Sequence, residues 1–266
     1  MVRALKPETK GWPYMGEMTW PEVAEFLKHH DVVIIPVGSC EQHGPHLPLD
    51  TDAYDAFWVA LRAAKRAGCA LVAPPINYGV SYHHMPFPGT VSISPETLMK
   101  LAYEVAESLI KHGFKKIVFE NGHGGNAPAL NAAAQMIKAK YPDTIIVVDN
   151  IGLIPDLLET LVETPHDAHA GEFETSTSLA NRPELVRTER ITKPKVQKPP
   201  VEYMRLGLAE KGPRVYWPIR TDQLTNTGAI GDPTRATREK GEIFLKALVE
   251  RLVKLLKELD ELRLKT

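Results

Sequence analysis

Only 2 cysteines, Cys40 and Cys69, occur among 266 residues, too few for a disulfide framework. Their default reading is a pair of buried thiols in a reducing compartment, with Cys40 set apart by its neighbour Glu41. Long apolar runs are missing too. The N-terminal stretch has no signal-type apolar core, and no later segment nears the roughly 18 apolar residues of a membrane span. The expectation is a soluble, cytoplasmic protein with no membrane partner. Charge of one sign is not in excess either: 32 Lys and Arg stand against 33 Asp and Glu. The basic residues form no patch interleaved with aromatics, so nucleic acid is not an expected partner. There is no internal repeat, and 43% hydrophobic residues suffice for a full core. Residues 1–266 are therefore read as a single α/β domain.

What is present is an alternation of two periods. Val32 to Val37 is apolar and β-branched enough for a strand buried on both faces, and Gly38 ends it. Further strands are expected over 69–73, 116–120 and 144–149. Between them fall helical patterns: 53–65, then 95–112 capped by Ser94 and opened by Pro95, then 127–140 behind Asn126. A Thr19-capped helix over 20–30 precedes the first strand, and an amphipathic Lys/Glu helix over 236–264 closes the chain. This order predicts βαβ units in a largely parallel sheet covered on both faces. Residues 77–90 show no period and read as a long functional loop, in which Tyr82, His83, His84 and Phe87 are candidates to line an entrance. Residues 193–200 read as a Pro- and Lys-rich surface excursion, and Asp232 as a cap.

The chemistry gathers where the first strand stops. On an extended chain past Gly38, Glu41 and His43 point the same way, and His46 points elsewhere. Pro45 and Pro48 bend the chain, so Asp52 can return toward the same space, with Asp50 as a turn residue. His123, between Gly122 and Gly124, lies at the end of another strand of the same presumed sheet. Ligands bind outside such strand ends. Carboxylates with two imidazoles and no paired thiolates suit Zn, Mn or Fe(II) at an open catalytic site.

The segments GSCEQHGPHLPLDTD, ENGHGGN and HAGEFETS, followed by GAIGDPTRATREKGE, resemble the signatures of the creatininase (creatinine amidohydrolase) family. They span residues 38 to 242. The resemblance implies a three-layer α/β/α sandwich, a binuclear metal centre, hydrolysis of an amide C–N bond and a homo-oligomer, commonly a hexamer built from dimers. Carried onto this sequence, it gives Glu41 and His123 to one metal, His43 to the second, and Asp52 as the bridge. In creatininase proper the position of Gly125 is a glutamate ligand and that of Glu172 is apolar. The reversal here assigns Glu172 as the fifth ligand. On a helix Glu174 lies about 200° away from it and would only support the site from outside. His169 matches the family's proposed catalytic histidine, for proton transfer to the leaving nitrogen or stabilisation of the oxyanion. Two divalent ions against three carboxylates leave room for a bridging hydroxide, since coordination lowers a water's pKa from 15.7 to about 7.

The resulting expectation is a metal-dependent amidohydrolase acting on a small cyclic amide or formamide. Aromatic closure over creatinine is not expected, because Gly124 and residues 164–168 hold no tryptophan. One alternative is a formylamino-pyrimidine nucleotide deformylase of flavin and deazaflavin synthesis, for which Arg214, Arg220, Arg235 and Arg238 would be available to a phosphate. Others are a noncatalytic metal-binding protein and a thiol enzyme pairing Cys40 with His43 or His169.

Overall fold

The computed structural model describes residues 11, 13–152, 154–201, 204–208, 210, 215 and 217–262. Four parallel strands form one sheet: β1 (Val32–Val37), β2 (Ala70–Val72), β3 (Lys116–Asn121) and β4 (Ile145–Asn150), in spatial order β2-β1-β3-β4. β1 and β3 pair over their whole length, from Val32 opposite Lys116 to Val37 opposite Asn121. Every residue of β1 is buried, as a central strand with helices on both faces requires.

Alternation along the strands divides the core into two. Val32, Ile34 and Val118 join one cluster with Phe57, Leu61, Phe244 and Leu252, from α2 (Thr51–Ala67) and α7 (Arg238–Glu261). Val33, Ile35, Ile117 and Phe119 join the other with Leu98, Ala102, Leu130 and Ile137, from α3 (Pro95–His112) and α4 (Ala127–Lys140). The sheet is thus the middle of three α/β/α layers. Each fully buried aliphatic side chain contributes about 1.5–3 kcal/mol, so both helical layers are strongly held.

Differences from the sequence expectation are local. The helix α1 (Trp20–Phe26) has the expected Thr19 start, with Glu22 accepting from the Thr19 N–H at 2.6 Å, but it ends before His29. A short α5 (Pro155–Leu161) was not anticipated. The helix after HAG is α6 (Glu172–Asn181), and α7 runs from a Thr237 cap that accepts from Lys240 N. The end of the expected 236–264 helix, and Arg214, lie outside the described residues. Among the described residues no helix is long and apolar enough to cross a membrane.

Two glycines bring the site together. A Cβ on Gly38 would come within 2.2 Å of Ala53 Cα, and one on Gly122 within 2.2 Å of the Asp52 carbonyl oxygen. The ends of β1 and β3 therefore pack directly on the first turn of α2. That close approach sets Asp52 between the loops that follow the two strands.

Candidate metal centre

Five elements deliver polar side chains to one spot at this sheet edge, all of them buried except the half-buried Glu174. The loop after β1 brings Glu41 and His43, α2 brings Asp52, the loop after β3 brings His123, α6 brings Glu174, and the turn before α6 brings His169. Asp52 Oδ1 lies 3.0 Å from His43 Nε2, and its Oδ2 lies 3.2 Å from His123 Nδ1. His123 Nδ1 is also 3.3 Å from Glu41 Oε1, and His43 Nε2 is 3.6 Å from Glu174 Oε2. Among the described residues three groups have donor atoms within 4.8 Å of one another: Glu41–His43–His169, and the two triads Glu41–Asp52–His123 and His43–Asp52–Glu174. Asp52 belongs to both triads.

Each imidazole is oriented by a main-chain carbonyl. His43 Nδ1 donates to the Glu41 carbonyl at 3.1 Å, His123 Nε2 to the Val80 carbonyl at 3.0 Å, and His169 Nε2 to the Gln42 carbonyl at 2.7 Å. A carbonyl only accepts, so in each neutral ring the opposite nitrogen carries a lone pair. Those lone pairs all face carboxylates. Both oxygens of Glu41 and Oδ2 of Asp52 are buried without a hydrogen-bond partner. Lone pairs turned on one another repel unless positive charge lies among them, so the donor set fits divalent cations.

Where no cation lies between them, the carboxylates draw protons onto the facing imidazole nitrogens instead. Burial disfavours charge on His43, yet Asp52 outweighs it and pushes the ring up to about 10. Burial opposes charge on His123 as well, and Glu41 and Asp52 raise it well above its ordinary value. The same pairs act on the acids: burial raises Glu41 and Asp52, but the neighbouring imidazoles hold both below the usual carboxylate range. Glu174 is pushed up to about 8, first by burial and then by Asp52 against His43. His169 goes the other way. Burial and the charge on His43 drive it well below its ordinary value, leaving a neutral ring with Nδ1 3.6 Å from Glu41 Oε1.

The structure brings Glu41, His43, Asp52, His123 and His169 together, but not Glu172. Its Oε2 accepts from Glu163 N, Thr164 N and Thr164 Oγ1, and its Oε1 pairs with Lys240 Nζ at 2.5 Å. The two glutamates do lie on opposite sides of α6, and it is Glu174 that faces the cluster. Asp167 fixes this phase by accepting from the backbone N–H of Glu172 and Phe173, which starts the helix at Glu172. The place beside the cluster that the sequence reading gave to Glu172 is therefore occupied by Glu174.

His84 is more deeply involved than an entrance residue. It is buried, its ring stacks on His169 at 4.2 Å, and Nδ1 accepts from Gln42 Nε2 at 2.7 Å. Nε2 then carries the proton and points at Glu41 Oε1, 3.3 Å away. Its position in a 77–90 loop rich in histidine was the available signal; which ring turns inward depends on the 3-10 turn at Tyr82–His84. His46 Nε2 meets Thr175 Oγ1 at 2.8 Å, and Asp50 pairs with Arg182 at 2.6 Å, so both tie α6 to the loop and start of α2. Asp232 caps Thr234. Burial, Asp50 and Glu41 all push the Cys40 thiol up, against its use as a thiolate nucleophile.

The cluster opens into a cavity of about 500 Å³, lined on one side by Asp52, His123, His169 and Glu174. Residues 16–256 match the family model Creatininase, described as creatinine amidohydrolase. The chain is 39% identical over 226 residues to the mycofactocin precursor peptide peptidase of Mycolicibacterium smegmatis, covering 82% of this chain and 81% of that protein. A Mn creatininase structure superposes with TM-score 0.80 at 27% identity, covering 94% of this chain and 100% of that one. A creatininase variant of the Zn-Zn type gives TM-score 0.81 at 28% identity, covering 94% and 99%. The paired triads are consistent with two divalent metal ions. The chain belongs to the creatininase family and is a hydrolase.

Proposed function

We propose that the chain is a metal-dependent amidohydrolase that cleaves the C–N bond of a small amide. The observation that carries this reading is Asp52, which lines the cavity and is shared by two triads of possible metal donors. Glu41, Asp52 and His123 would hold one divalent ion, and His43, Asp52 and Glu174 the other; Zn, Mn and Fe all suit such donors. When bound, a pair of divalent ions makes water acidic enough to be a nucleophile at neutral pH and polarises an amide carbonyl.

The chain's own side chains do the rest. The Gln42 carbonyl holds the proton of His169 on Nε2, so Nδ1 faces the reacting space as an acceptor. That nitrogen takes a proton and passes it to the departing amine, which would otherwise leave as an unstable anion. The Nε2–H of His84 is directed at Glu41 and stacks His169 in place, so one ring orients both. Cyclic amides and formamides, the sequence expectation, present this unit to the cluster, and so does a peptide bond. The peptide reading is favoured by the 39% identity to a peptidase. Homo-oligomerisation belongs to the same proposal, with light scattering as its check.

The experiment is chelation followed by reconstitution. Hydrolysis of an amide panel is expected to vanish on metal removal and return with Zn, Mn or Fe. A metal-replete protein that hydrolyses no amide would instead support the noncatalytic metal-binding alternative.

A further inference from the structure

The cavity has two unlike kinds of lining. Besides the cluster residues it is lined by Met204, Leu206, Leu208, Ile219, Leu224 and Ile230, all from the strap between α6 and α7. This strap is hydrogen-bonded to the catalytic side of the cavity at four places. Leu208 N donates to the Asp167 carbonyl at 2.8 Å, and Thr221 Oγ1 meets His84 Nδ1 at 2.9 Å. Gln42 Nε2 donates to the Gly228 carbonyl at 3.0 Å, and Ile230 exchanges backbone hydrogen bonds with His169 at 2.7 and 3.1 Å. The residues that anchor the strap are the ones that orient Glu41 and His169, so the apolar wall is held in fixed relation to the reacting atoms.

An apolar wall in the same cavity as a polar cluster is unsatisfied by a compact polar amide. A cavity of about 500 Å³ has the size that encloses a whole small ligand, and a formamide or a single small ring would leave that wall bare. Water against it is displaced at a gain only by an apolar group. We infer that the substrate carries a branched aliphatic or aromatic side chain beside the scissile C–N bond, and that Leu206, Ile219 and Leu224 select for it. This inference rests on the hydrolase reading above and adds the substrate class to it.

The test uses the full chain loaded with Mn(II) and a series of amides differing only in one side chain: Gly, Ala, Val, Leu and Phe. Turnover is read as kcat/KM, and binding as the ligand-dependent rise in Tm. A methylene in an apolar pocket changes kcat/KM by roughly 10–200-fold, so the Leu and Phe members are expected to exceed Gly by at least about tenfold. Leu206→Asp is expected to collapse that ratio while metal content stays the same, and Leu206→Ala, which adds no charge, to reduce it less. Equal values across the series, or a Gly optimum, overturn the inference and leave the hydrolase reading standing. Binding that grows with side-chain size in a protein that hydrolyses none of the series supports the wall and overturns the hydrolase reading. Neither binding nor turnover for any member overturns both.

Discussion

Glu172 and Glu174, two positions apart on α6, send their carboxylates to opposite sides of the helix: Glu174 to within 3.6 Å of His43 Nε2, Glu172 to a 2.5 Å ion pair with Lys240. Their substitutions should therefore separate cleanly. Glu174→Gln is expected to bind one ion fewer per chain and to lose at least about 100-fold in kcat/KM. Glu172→Gln should keep its metal and lose about 2 kcal/mol of stability, because hydrogen bonds to a buried charge are weakened. Metal counting and thermal melts on the two variants decide it. Equal metal content in both would remove Glu174 from the cluster.

Much of the fold was legible because local chemistry and tertiary structure agree. β1 and β3 are runs of β-branched and aromatic residues closed by glycine, and Ser94-Pro95 and Thr19 mark helix starts that the structure keeps. Glu41, His43, Asp52 and His123 could be grouped because parallel strands must end on the same edge. The phase of α6 could not. It is set by Asp167 beneath the first turn and by Arg182, Asn181 and Thr177 reaching Asp50, Thr51 and Asp55 on α2, more than 100 residues away in sequence. The short α5 lacked a full period, and the inward turn of His84 rather than its neighbour depends on partners at Gln42 and Thr221.

His169 faces the cluster through one nitrogen and a carbonyl through the other, the placement that the proposed proton transfer requires. His169→Gln is expected to lower kcat by roughly 10²–10⁴-fold with metal content and Tm close to the parent. Steady-state kinetics alongside metal analysis is the check. Loss of an ion in this variant would make the ring a ligand instead.

Arg182 is fully buried and joins the end of α6 to the start of α2 through Asp50 and Thr51. Removing the guanidinium leaves its acceptors without their partner and frees the registry between Asp52 and Glu174. Arg182→Ala should cost roughly 3 kcal/mol and weaken the second ion more than the first. Denaturant melts and metal titration would show both effects, and a stability loss with unaltered metal affinity would confine Arg182 to folding.

Glu120 is buried opposite Asp149 in the β3–β4 register, with Arg251 of α7 bound to Asp149 at 2.8 and 2.7 Å. Burial, then the charge of Asp149, raise the Glu120 carboxyl well above its ordinary 4.5. The folded chain thus holds this proton more firmly than the unfolded chain. Its stabilising contribution is complete below about pH 4.5 and is lost as pH rises through that value toward the folded pKa. Glu120→Gln should flatten this decline and raise Tm at neutral pH. Melting curves from pH 4 to 8 at fixed metal content test it, and an unchanged slope would refute the assignment.

The most direct measurement is the number of ions seated around Asp52. The full chain is stripped with a chelator, titrated with Zn(II) or Mn(II), and followed by mass-spectrometric metal counting together with amide hydrolysis. Two ions per chain, hydrolysis that recovers only as the second is bound, and loss of both ions in Asp52→Ala are the predicted results. A single ion at full activity, or hydrolysis that persists in the metal-free protein, would contradict the shared-carboxylate centre.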